Sequence, residues 1–177
     1  MHPGLQAITD PGARAQLQRY LDCLQRWAPR INLTGALTRD AIFDTLVLPV
    51  LGAESLLSGH VIDVGSGNGS PALILAALRP DLQFTLIEPR AKRWAFLREA
   101  AREMAVANVQ VERARSDTYR GAVATTVTMR AVGLDPEALK PLLEAGGSVL
   151  VFGGPPIPGS EALRLPSGSG VQRRCFT

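Results

Sequence analysis

The chain of 177 residues is 46% hydrophobic and 20% charged, proportions that suit one globular domain with a full core and exclude a fibrous, collagen-like or disordered polypeptide. Nineteen basic residues against sixteen acidic ones leave a net charge of +3. That mild basic balance is compatible with a polyanionic partner without requiring one.

Taken from the N-terminus, Asp10-Pro11 supplies a helix cap followed by proline at the first helical position. Leu17, Tyr20, Leu21 and Leu24 then recur at helical spacing, which predicts an amphipathic helix over 10–27. Ala28-Pro29 ends it, because proline disfavours helical geometry in the residue before it. Thr38 is a plausible cap for a second helix running to Leu48. Residues 1–58 therefore read as an N-terminal helical segment and 60–177 as an α/β core, together one domain. In the core, strands over 61–64, 83–87, 108–112, 122–129 and 147–152 are interspersed with helices over 71–79, 90–106 and 135–144. Such alternation implies a mostly parallel central sheet with helices on both faces and ligands at the carboxyl ends of the strands. Beyond the rigid Pro155-Pro-Ile-Pro158 connector, 161–165 and 171–176 read as a C-terminal antiparallel hairpin closing the sheet edge.

Cys23 and Cys175 form no C-x-x-C or Cys/His cluster, so neither a disulfide framework nor a metal site is expected. The longest apolar run, Ala41 to Leu57, is interrupted by Asp44, Pro49 and Glu54, and the N-terminus lacks the layout of a signal peptide. The expectation is a cytoplasmic protein without a membrane span.

The chemistry concentrates in His60-Val-Ile-Asp-Val-Gly-Ser-Gly-Asn-Gly69. A buried strand that breaks into Gly65, Gly67 and Gly69 makes a tight turn over which a ligand can approach the backbone closely. Glu88 ends the next strand about twenty residues on, the offset at which a carboxylate can accept the hydroxyls of a ribose. A dinucleotide fingerprint would place its last glycine where Ser70 stands, so NAD fits poorly. Asp63, two residues before the first glycine, likewise disfavours a pyrophosphate and favours a cation. S-adenosylmethionine carries an ammonium, a sulfonium and no phosphate. The D-x-G-x-G-x-G pattern followed by an acid resembles the class I methyltransferases, which implies their Rossmann-like fold.

Trp27, Ile31-Asn-Leu-Thr34, the loop from Asp63 to Pro71, Lys92-Arg93 with Phe96-Leu97, Asn108-Val109, Arg115-Ser-Asp117 and Arg130-Ala131 occur in one order. Together they resemble the RsmG (GidB) family of bacterial small-subunit ribosomal RNA methyltransferases. The resemblance implies S-adenosylmethionine as cofactor and N7 of a guanine in 16S rRNA as target, reached as RNA or in the 30S ribosomal particle by a monomer that needs no metal. It puts Gly65 and Ser70 in the cofactor loop, Ser116 and Asp117 beside the adenine, Arg130 between cofactor and substrate, and Lys92 and Arg93 against RNA. Arg130 could instead simply pair with Asp117 or Glu88. The chain departs from the family pattern at Ala28, Phe43, Ser70, Ala72, Glu88 and near Gly153-Gly154. Guanine N7 offers a lone pair and holds no proton, so no general base is expected. Arg26, Arg30, Arg39, Arg164, Arg173 and Arg174 could form a basic rim. A class I methyltransferase acting on a small molecule or protein, and a non-catalytic S-adenosylmethionine-binding or assembly module, stay open as alternatives.

Overall fold

The computed structural model describes residues 2–36 and 38–177. After a short turn of helix α1 (Pro3–Gln6), α2 (Pro11–Trp27) begins where the Asp10 carboxylate accepts from the Ala13 N–H at 2.6 Å, and its stripe of Leu17, Tyr20, Leu21 and Leu24 is buried. The expected helix over 38–48 breaks up instead. Only α3 (Arg39–Ile42) is α-helical, followed by a π-helical turn Phe43–Val47 and a 3-10 turn Leu48–Val50. Pro49, directly after the expected span, has no N–H for the Thr45 carbonyl, and its ring would strike that carbonyl if an α-helix ran on.

The core carries β1 (His60–Val64), α4 (Ala72–Leu78), β2 (Gln83–Ile87), α5 (Ala91–Met104), β3 (Val109–Glu112), β4 (Ala124–Arg130), β5 (Leu143–Phe152), β6 (Glu161–Arg164) and β7 (Gly170–Cys175). One seven-stranded sheet runs in the order β3-β2-β1-β4-β5-β7-β6. The first five strands are parallel, and β7 and β6 add the antiparallel pair expected at the edge. The strand order reverses direction beside β1, and the crevice at such a switch point is where open α/β sheets bind ligands.

Side-chain alternation divides the interior into two. Val61, Phe84, Leu86 and Leu150 pack beneath the helices in the larger core, while Ile62, Val64, Ile87, Val127, Met129 and Val149 form a smaller one. The structure differs from the expectation of helices on both faces, because the five α-helices among the described residues bury side chains only in the larger core. The smaller core is covered by loops, Phe176 and the run Pro136–Leu142, expected as a helix over 135–144 but wound as 3-10. Pro141 lies inside that run and cannot donate to Glu137, so an α-helix there would lose a hydrogen bond and meet a clash. Among the described residues no helix is long and apolar enough to cross a membrane.

Candidate functional site

Where β1 gives way to the glycine loop, the backbone folds onto its own acceptors. The Gly65 and Ser66 N–H groups donate to the Ile87 carbonyl at 2.9 and 3.3 Å, and Gly69 N–H donates to the Ser66 carbonyl at 2.7 Å. Gly67 N–H donates to Glu88 Oε2 at 3.0 Å and Ser70 N–H to Asn68 Oδ1 at 3.1 Å. Close approach explains two of the glycines: a Cβ at Gly65 would lie 2.7 Å from Val132 Cγ2, and one at Gly69 2.6 Å from Leu73 Cδ1.

Above this loop opens a cleft of about 640 Å³, lined among others by Gly65, Gly67, Ser70, Glu88, Arg93 and Arg130. Glu88 is buried and grips the loop from β2, its Oε1 accepting also from Arg90 N–H at 2.9 Å. Arg130, the last residue of β4, pairs with neither Asp117 nor Glu88. Its Nη1 donates to Ser70 Oγ at 2.6 Å and to the Leu46 carbonyl at 3.2 Å, and its Nη2 to the Thr45 carbonyl at 2.6 Å. Those carbonyls are free because the chain around Pro49 is not α-helical. Ser70 Oγ donates in turn to Leu46 at 2.7 Å. Burial without a carboxylate pushes the affinity of Arg130 for its proton below that of an ordinary arginine.

Asp63 lies within β1, opposite Thr128 of β4, and is 1% exposed. Its Oδ1 accepts from Thr128 Oγ1 at 2.6 Å, and its Oδ2 has no partner among the described residues. Burial, with a smaller contribution from the Glu88 charge, outweighs the hydroxyls of Ser66 and Thr128 that favour the carboxylate and pushes the carboxyl up to about 6. Asp63 and Gly69 stand outside the lining of the cleft, as do Lys92, exposed on α5, and the Ser116–Asp117 turn after β3. Asp117 forms an exposed ion pair with Arg115 at 3.1 Å, which holds its carboxyl below the usual range. Four arginines of the expected rim are drawn off by carboxylates: Arg26 by Glu103, Arg39 by Asp22, Arg173 by Glu161 and Arg174 by Glu137.

Sequence reasoning missed Tyr20, read as an apolar-face residue, whose hydroxyl donates to the Asn68 carbonyl at 2.9 Å. It also missed Asn68, whose Nδ2 donates to the Leu33 carbonyl at 3.1 Å, and Thr128. Pro49 was the one available signal, since it marks carbonyls that no helix can satisfy. A larger cleft of about 760 Å³ opens near the amino ends of the strands, lined by His60, Thr85, Gln110 and Glu112 among others. Both ring nitrogens of His60 are already engaged, at 2.9 Å each, by Val123 O and Thr85 Oγ1. The smaller cleft at the carboxyl ends, with its arginines and bound loop, is the candidate site.

A family model, rRNA small subunit methyltransferase G, matches residues 13–155. The chain is 38% identical over 129 residues to ribosomal RNA small subunit methyltransferase G of Halorhodospira halophila, covering 72% of this chain and 62% of that one. It is 34% identical over 174 residues to the Xanthomonas campestris protein of that name, covering 93% and 80%, and 37% identical over 180 residues to the Alkalilimnicola ehrlichii protein, covering 94% and 79%. Among solved structures, the S-adenosylmethionine-dependent methyltransferase SibL superposes with a TM-score of 0.62 at 18% identity, over 94% of this chain and 74% of that one. A SAM-dependent methyltransferase from Aquifex aeolicus gives 0.56 at 13% identity, over 73% and 92%. These two are likenesses of fold, whereas the sequence matches show descent: the chain belongs to the rRNA small subunit methyltransferase G family.

Proposed function

We propose that this chain transfers a methyl group from S-adenosylmethionine to small-subunit ribosomal RNA, at N7 of a guanine. The observation that carries the reading is the way the glycine loop uses its own N–H groups. Those of Gly65, Ser66, Gly67, Gly69 and Ser70 are all taken by protein acceptors, whereas a pyrophosphate site presents free N–H groups to its anion. What the cleft offers is negative: each Glu88 oxygen accepts one N–H and keeps room for another donor, and Asp63, buried in β1 outside the lining, has an Oδ2 without a partner among the described residues. Such a site fits a cation with ribose hydroxyls.

In this reading Glu88 accepts the ribose hydroxyls, Gly65, Gly67 and Ser70 form the floor, and Asp63, buried in β1 outside the lining, acts on the cationic part through its charge and not by contact. S-adenosylmethionine, when bound, supplies an electrophilic methyl group. The protein's task is alignment, which can contribute roughly 7 to 11 kcal/mol toward a bimolecular barrier. It needs no base, because N7 carries a lone pair and no proton. Three of the five guanidinium N–H groups of Arg130 are spent on Ser70, Leu46 and Thr45. The Nε–H and one Nη2–H remain for a phosphate or base edge of the incoming nucleotide. Lys92 and Arg93 approach the RNA from α5. Ser116 and Asp117, expected beside the adenine, lie off the cleft, and the reading does not depend on them.

The test is transfer of labelled methyl from S-adenosylmethionine to 30S particles lacking the native modification. Incorporation at a guanine N7 is expected, with Arg130→Ala lowering transfer at least a hundredfold while cofactor affinity falls less than tenfold. Cofactor binding with no transfer to any ribosomal RNA would replace the enzyme reading with that of a non-catalytic module. Equal loss of both by Arg130→Ala would remove the role given to that side chain.

A further inference from the structure

We propose that Tyr20 of the N-terminal helix is a positioning residue for the cofactor loop, its buried hydroxyl fixing the Asn68 carbonyl between two glycines. The inference rests on the reading of the cleft given above and deepens it.

Tyr20 is 0% exposed and donates to Asn68 O at 2.9 Å. A buried phenol needs such a partner, and the other residues of its stripe on α2 satisfy packing without one. The recipient matters. Gly67 and Gly69, on either side of Asn68, both have positive φ and lack side chains that could brace the bend, so the loop relies on contacts from outside it. Asn68 collects two: Tyr20 holds its carbonyl and its Nδ2 reaches Leu33 O, while within the loop its Oδ1 receives Ser70 N–H. Ser70 Oγ then meets Arg130 at 2.6 Å. A continuous chain thus runs from α2 through the loop to the arginine at the end of β4. Tyr20 and Arg130 are also close enough for each to affect the other's proton affinity. The N-terminal segment, on this view, is part of the cofactor machinery rather than only a lid over the core.

Tyr20→Phe keeps the ring and removes the hydroxyl, and Leu17→Ala, one turn earlier on the same buried stripe, serves as a purely structural control. Calorimetry with S-adenosylmethionine, thermal unfolding without it, and amide hydrogen exchange are read on wild type and both variants. Tyr20→Phe is expected to weaken cofactor binding about tenfold, to speed exchange in residues 65–70, and to leave KM for 30S particles within twofold. Leu17→Ala is expected to lower the thermal midpoint by at least as much with cofactor affinity within twofold of wild type. Unchanged affinity and exchange in Tyr20→Phe, or an equal loss of affinity in Leu17→Ala, would overturn the assignment. A wild-type protein that bound no S-adenosylmethionine would instead overturn the reading of the cleft, and the positioning role with it.

Discussion

At the scale of single residues, the carboxyl of Asp63 ties stability to pH in the acid range. Held inside β1 with one oxygen on Thr128 and the other without a partner among the described residues, it has its proton affinity raised, by burial first, to about 6. A raised carboxyl means that the folded state holds the proton more tightly than the unfolded chain does. The associated stability is therefore complete below about pH 4 and is lost as pH rises to about 6, a change on the order of 3 kcal/mol. Above that, the ligand-free fold carries a buried charge that a cation would relieve. Thermal unfolding without ligand should show the decline between about pH 4 and 6 in wild type and its absence in Asp63→Asn. S-adenosylmethionine should bind the wild type more tightly as pH rises through about 6, whereas Asp63→Asn should bind at least tenfold more weakly with a flat profile. A persistent decline in the variant would assign the titration to another group.

At the scale of elements, the loop divides its glycines by task. Gly69 has a φ of +90° and its missing Cβ would strike Leu73 at 2.6 Å, so Gly69→Ala should cost a few kcal/mol of stability. Gly67 differs. An added Cβ there would meet nothing nearer than 3.5 Å, and Gly67 lines the cleft. Gly67→Ala should therefore fold with a loss of about 1 kcal/mol from its left-handed backbone and lose most of its cofactor affinity, a contrast that calorimetry and thermal unfolding would separate. The strand–loop–strand unit from His60 to Glu88 was legible in the sequence because its signals are local: an apolar run, three glycines and an acid at fixed offset. The α-helices expected at 38–48 and 135–144 are only partly α-helical or wound as 3-10, with Pro141 inside the second and Pro49 directly after the first. Tyr20 was illegible for another reason. Helical periodicity marks a buried stripe and carries no information about which buried hydroxyl will meet a loop 48 residues away.

At the scale of the molecule, the question is where a net charge of +3 is presented. Arg173 and Arg174 are neutralised locally by Glu161 and Glu137, as Arg26 and Arg39 are by Glu103 and Asp22. The start of α5 is different: Arg90 caps it, Lys92 and Arg93 fill its first turn, and that turn holds no acid, the nearest being Glu88, which takes up the Arg90 N–H. Cations at the positive end of a helix macrodipole are unfavourable for the helix itself. Their presence beside the cleft, with Arg90 and Arg93 among its lining, is accounted for by a polyanion that approaches there. The double variant Arg90→Gln/Lys92→Gln should accordingly do two opposite things. Its thermal midpoint should rise slightly, because repulsion with the helix terminus is removed. Its affinity for ribosomal RNA should fall, with the slope of log K against log salt reduced by about 1.4 to 1.8 if each side chain meets one phosphate. Arg173→Gln/Arg174→Gln removes the same two charges from the opposite edge of the sheet, where carboxylates already occupy them, and should leave the slope unchanged. Equal slopes for the two double variants would mean that RNA responds to total charge alone and that the α5 terminus has no special part in docking.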